Sequence, residues 1–161
     1  MVRLFQERPM SPNPSIERRR RWLSVLAKAP STRLQALWQA LGATPSYVVL
    51  RRPEIGLVMV QGRISGTGAP FCTGEMTVTR AAVRLDGGEM GFGYVGGRDT
   101  RHAETVAAID ALGQRADWTE RLEAELVAPL AREAEARHRL IAARAAATKV
   151  DFFTVAREAG T

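Results

Sequence analysis

Residues 89–112 read EMGFGYVGGRDTRHAETVAAIDAL, and the change of period inside this stretch decides the fold. Met90, Phe92 and Tyr94 alternate with Gly91 and Gly93, the two-residue period of a strand. After Gly96 and Gly97 the spacing lengthens. Val106, Ile109 and Leu112 recur at helical intervals, and Asp99 stands where an N-cap belongs. The stretch is therefore a strand that turns sharply into a helix. Its glycine face lets another backbone come close.

Working upstream, EMTVTRAAVRL (residues 75–85) is a second β run, joined to the first by the turn Asp86-Gly87-Gly88. Met76 and Val78 share one parity, whereas Ala81, Val83 and Leu85 share the other, which predicts a bulge or bend near Arg80. YVVLRRP (47–53) and GLVMVQGRIS (56–65) are two more β-rich runs, and Pro53-Glu54 between them predicts a hairpin. That makes a four-stranded antiparallel sheet. Further upstream, Ser15 is positioned to cap a helix carrying Trp22, Leu23 and Leu26, which Pro30 ends. Thr32 opens a second helix with Gln35 at the capping-box position and the stripe Leu34, Leu37, Trp38, Leu41; Gly42 is its stop. Downstream, Asp117 and Glu120 form a second capping box, and Pro129 must kink or restart the helix that follows. The expected class is α+β: an N-terminal helical hairpin, a four-stranded antiparallel sheet and C-terminal helices. Residues 1–14, with Pro9, Pro12 and Pro14, read as a disordered lead. Residues 15–161 read as one domain.

The chain has 161 residues, 45% hydrophobic and 25% charged, enough for one sizeable core. Nothing approaches the ~20 apolar residues of a membrane span, and the prolines and charges at the N-terminus do not make a signal peptide, so a cytoplasmic setting is expected. Cys72 is the single cysteine and the two histidines lie far apart, so neither a disulfide framework nor zinc spacing is present. No metal is expected. A small, half-buried thiol suits Cys72 better than a nucleophile, since no base stands near it in sequence.

Net charge is +6, unevenly spread: residues 1–64 hold 11 Lys or Arg against 3 acids, and residues 65–161 hold 12 against 14. The basic half suits an acidic partner, a nucleic acid or a phosphorylated ligand. Arg18 to Arg21 invite the nucleic-acid reading, but on a helix four consecutive residues fan through ~300° and make no stripe. GTGAPFCTG (66–74) lacks the lysine and hydroxyl residue of a phosphate loop. Arg98, Asp99 and His102, beside Gly96 and Gly97 at a helix start, form a candidate anion site; Asp99 as a cap competes for the same amides. No nucleophile–base pair or carboxylate dyad emerges, so no catalytic residue is assigned.

In combination, FCTGEMTVTRAAVRL (71–85), GYVGGRDTRHAE with AIDAL (93–112) and VDFFTVAR (150–157) resemble the signature blocks of the PhnG family. RRRWLSVLAKAP (19–30), EIGLVMVQ (54–61) and LVAPL (126–130) extend the resemblance to about residues 19–157. That family is the G subunit of the bacterial carbon–phosphorus lyase core complex, which frees phosphorus from alkylphosphonates. The resemblance implies an accessory, structural subunit with H, I and J partners. With H, I and L it is required to join methylphosphonate to C1′ of the ribose of ATP. Adenine leaves, and the product is α-D-ribose 1-methylphosphonate 5-triphosphate. The resemblance implies no cofactor bound by this chain, ATP being the substrate of the complex, and neither a membrane nor a nucleic-acid partner. Gly91, Gly93, Gly96 and Gly97 would then admit a partner's backbone, and Phe152 and Phe153 would dock on one. Arg98, Asp99 and His102 would touch the substrate triphosphate at a subunit junction. The reading from another class is a free-standing basic nucleic-acid-binding module.

Overall fold

The computed structural model describes residues 14–43, 45–64 and 67–148. Their class is α+β. In chain order come α1 (Pro14–Lys28), α2 (Ser31–Leu41), β1 (Tyr47–Arg63), β2 (Pro70–Leu85), β3 (Met90–Gly96), α3 (Thr100–Leu112) and α4 (Ala116–Leu122). A π-helical turn, Glu123–Val127, leads into α5 (Ala128–Ala147). The lead assigned to residues 1–14 and the VDFFTVAR block, with Phe152 and Phe153, lie outside the described residues except for Pro14. Pro14 opens α1, which suits a residue whose missing amide needs no partner in a first helical turn.

Among the described residues the sheet has three antiparallel strands in the order β1-β2-β3, not four. The expected hairpin at Pro53-Glu54 is instead the bulged middle of one 17-residue strand. Val49 pairs with Val83 and Arg51 with Ala82, leaving Leu50 without an opposite residue; Glu54 then pairs with Arg80, so Arg52 and Pro53 together face Ala81. β1 is an edge strand, and there a bulge accommodates proline without breaking the ladder. The irregularity expected near Arg80 therefore lies across from it, in β1. β2 pairs with β3 without a shift from Val78↔Gly96 to Arg84↔Met90. Thr79 resolves the parity conflict. It is buried on the face of Ala81, Val83 and Leu85, its hydroxyl donating to the Gly97 carbonyl at 2.8 Å.

α3 lies across that face. Ten of its thirteen residues are buried, so it is enclosed on nearly every side. Its contact with β3 is backbone on backbone. A Cβ on Gly91 would overlap the Ala107 carbonyl oxygen, and one on Gly93 that of Ala103. On this face the close approach that these two glycines permit is made by the chain's own helix. Gly96 and Gly97 remain exposed, and a Cβ on either would meet no other described atom.

Around α3 the core gathers Trp22 and Leu26 of α1, Leu34 and Leu41 of α2, Val83 and Val95 of the sheet, and Leu122, Leu126 and Leu130 near the C-terminal helices. Caps differ from expectation in three helices. α1 begins at Pro14, which places Ser15 inside its first turn rather than at its cap. α2 begins at Ser31 without a side-chain cap bond, and Gln35 donates to Thr105 Oγ1 at 2.7 Å instead of closing a capping box. α4 likewise has no side-chain cap, and Asp117 pairs with Arg115. Gly42 does end α2 in the left-handed conformation, at φ 66°. Pro129 is accommodated by the wide turn before it, where the Ala128 amide reaches five residues back to the Glu123 carbonyl.

Beyond the reach of α3 the β1–β2 hairpin projects as a two-stranded arm. Leu57 and Met59 are 63% and 65% exposed, and Ile55, Phe71 and Met76 are about half exposed. Cys72 lies on this arm and is exposed, not half-buried, because no helix reaches the strand there.

Candidate functional site

The β3–α3 joint brings Arg98, Asp99 and His102 into one turn and gives them different tasks. Asp99 caps α3: its carboxylate accepts the His102 amide at 2.8 Å. A hydrogen bond from Ser31, then that amide, hold the carboxyl below the ordinary aspartate value. The imidazole of His102 is buried, and its Nε2 lies 2.9 Å from the Leu26 carbonyl in the last turn of α1. A carbonyl only accepts, so Nε2 carries the proton and satisfies a helix-end oxygen. Arg98 remains exposed, with no hydrogen bond or ion pair among the described residues. The loop is pinned from below by the Gly97 amide on the Thr77 carbonyl at 2.9 Å.

The same end of α3 gathers the rest of the molecule. Thr105 accepts from Gln35 of α2, and Glu104 accepts the Tyr47 hydroxyl of β1 at 3.0 Å. Burial first, then that bond, raises the Tyr47 phenol above its usual value. α1, α2 and β1 are therefore all tied to one helix start. Of the three residues assigned from the sequence, two are committed to this joint and one faces outward.

The other end of α3 holds a group that sequence reasoning did not assign. The Asp110 side chain is 2% exposed and takes two bonds of 2.8 Å from Arg19 and one of 2.8 Å from the Phe92 amide. The hydrogen bond to Asp110 raises the Arg19 guanidinium above its ordinary value. Arg19 also lies 5.9 Å from the Phe92 ring centroid. One signal was available: a carboxylate at position 110 shares a helix face with the buried Ile109 and Val106, so it needs a cation. The arginine run supplies it. Arg21, two residues on, turns instead to Glu123, which also accepts from Trp22. A cavity of about 260 Å³ opens beside Arg18, Arg19, Trp22 and Asp110.

Among the described residues no group of three or more His, Cys, Asp or Glu is placed to hold a metal ion. No described helix is long and apolar enough to cross a membrane.

A family model described as "Phosphonate metabolism protein PhnG" matches residues 17–158. The chain is also 42% identical, over 147 residues, to the "Alpha-D-ribose 1-methylphosphonate 5-triphosphate synthase subunit PhnG" of Rhizobium meliloti (strain 1021); the match covers 91% of this chain and 94% of that protein.

Proposed function

The chain belongs to the PhnG family of phosphonate-metabolism proteins, and from that membership we propose that it is an accessory, structural subunit of a carbon–phosphorus lyase core complex. In this reading it takes part, with H, I and L partners, in forming α-D-ribose 1-methylphosphonate 5-triphosphate from ATP and methylphosphonate with release of adenine. The observation that carries the reading is the near full-length match to a synthase subunit. The structure adds physical support. The joint residues with evident chemical potential, Asp99 and His102, are spent on holding helices together. Large apolar side chains stand uncovered on the arm, as in a chain that works against other subunits.

The geometry supports a role in presenting a rigid surface. α3 fixes α1, α2 and the sheet, so that whatever docks on them meets preorganised side chains. Arg98 is the joint residue offered to the substrate triphosphate, since its guanidinium has no other assigned partner and stands at exposed glycines. The complex works in the cytoplasm, and ATP is its substrate.

The test is co-expression of the tagged chain with H, I and J subunits, followed by an adenine-release assay with L added, with and without methylphosphonate. Co-purification with phosphonate-dependent release is expected. A chain that retains none of the subunits overturns the reading. Arg98→Ala, in a complex that still assembles, is expected to weaken nucleotide binding; unchanged binding removes Arg98 from the substrate.

A further inference from the structure

No described helix lies on the face of the sheet turned away from α3, and its composition is specific. Cross-strand partners share a face, so the register places Met90, Phe92 and Tyr94 of β3 beside Arg84, Ala82 and Arg80 of β2. Val48, Arg51 and Glu54 of β1 continue the same rows. Met90, Phe92 and Tyr94 are between 48% and 50% exposed, while every residue between them is buried. Ala82 and Val78, whose register positions put them on this face, are buried and stand outside the core cluster on the other side.

Its charge is one-sided. Arg51 and Arg80 share a single carboxylate, Glu54, at 3.0 and 2.7 Å. Arg84 has no ion pair among the described residues. Three arginines against one acid leave two positive charges around an aromatic centre. Aromatic residues, methionine and arginine are the types concentrated in protein interfaces, and this face carries no lysine.

We infer that this outer sheet face is a docking surface for a protein partner with an apolar patch rimmed by acidic residues, an inference resting on the assembly reading above. Phe92 and Tyr94 are the anchors. Arg84 meets the partner's carboxylates, and Arg19, stacked beside Phe92 and held by Asp110, fixes the ring's position. A nucleic acid suits the face less well, because Glu54 lies in the middle of its charged rows and repels phosphate, and because Val48 and Met90 supply aliphatic rather than stacking surface.

The experiment uses the full chain co-expressed with H, I and J subunits, each tagged variant competing with untagged wild type for incorporation. Phe92→Ser with Arg84→Glu is expected to lower incorporation roughly thirtyfold, the loss that follows truncation of an interface anchor. Arg84→Glu alone guards against misfolding, since its side chain is exposed, and is expected to lower incorporation several-fold. Arg132→Glu, the same charge change on α5, is expected to have no effect. Wild-type incorporation of both face variants overturns the inference and leaves the assembly reading standing, whereas a wild-type chain that retains no subunit overturns both. A photo-crosslinking phenylalanine derivative in place of Tyr94 identifies the occupant. Capture of a co-expressed subunit supports the inference; capture of a second copy, or of residues 149–161 of the same chain, overturns it. So does binding of labelled single-stranded RNA by the free chain that Arg84→Glu abolishes.

Discussion

Val78 to Leu85 and Phe71 to Met76 are two halves of the same strand and are similar in apolar content, yet the first is largely buried and the second exposed. Most of the difference is α3, which covers Thr79, Ala81, Val83 and Leu85; Val78 and Ala82 are buried on the other face. Where the helix lies on the sheet, strand residues on its side enter the core; where it ends, the same kinds of side chain face solvent. Hydrophobic patterning along β2 thus finds a partner inside this chain for one half only; on the assembly reading proposed above, the other half faces another subunit. The base of the molecule is built to be closed. The arm and the outer sheet face are left open.

The severest way to break this comparison is to pry α3 off the base. Gly93→Ala places a methyl group into the Ala103 carbonyl, and the obstruction is backbone, which cannot rotate aside. A loss of about 3 kcal/mol or more is expected, seen as insolubility or a much lower urea midpoint, because overpacking without relief reaches the top of its usual range. Wild-type stability would mean that the helix does not rest directly on the strand.

Asp110→Ala tests the other end of the same helix. It strips Arg19 of its ion pair and leaves the Phe92 amide without an acceptor. Arg19 is 39% exposed, so water offsets part of the loss, and about 2–3 kcal/mol is expected rather than the full cost of a buried broken pair. Arg19→Ala should cost as much or more, since it leaves a carboxylate buried. Double-mutant unfolding experiments read the coupling directly.

These contacts show what the sequence could and could not reveal. The β3–α3 turn was legible, because period, glycines and a capping aspartate agree over residues 89–112. The class was legible too. The strand count was not, since Pro53-Glu54 resembles a turn wherever the edge position of β1 is unknown; only pairing distinguishes a bulge from a hairpin. The purpose of Gly91 and Gly93 was equally hidden. A glycine face announces close approach but not by what, and the helix that fills it follows them in the chain by ten or more residues. At the candidate site, Asp99 was readable as a cap, whereas the partner of His102 is a carbonyl 76 residues away that no local pattern announces. The Arg19–Asp110 pair is similarly distant, at a separation of 91.

Asp99 offers a smaller test of the joint. Asp99→Ala removes the acceptor for the His102 amide and should cost about 1 kcal/mol, the usual value of a cap. Its pH dependence follows from the direction of the shift. The folded-state pKa lies below the unfolded one, so the stabilisation is fully present above about pH 4, the ordinary aspartate range, and is lost as pH falls through the folded value. Asp99→Asn retains a capping oxygen and should flatten the acid limb of the stability curve. Identical acid limbs in the two proteins would show that the carboxylate charge does not contribute.

The arm should give the smallest effect on stability, and for that reason it sharpens the comparison most. Leu57→Ser and Met59→Ser remove side chains that are about two-thirds exposed and lie outside the core. In the free chain each should shift unfolding by no more than about 0.5 kcal/mol, as substitutions on an open surface do. Solubility should rise, because β1 is a long apolar edge strand and such edges pair with one another. A loss of 2 kcal/mol or more would place the arm in the fold and erase the contrast with which β2 began. Near-neutral stability combined with reduced incorporation alongside H, I and J subunits would separate the two tasks cleanly: residues retained for folding are clustered under α3, and residues retained for assembly stand where α3 does not reach. Incorporation as efficient as wild type, with stability unchanged, would instead confine the assembly surface to the outer face around Phe92 and Tyr94.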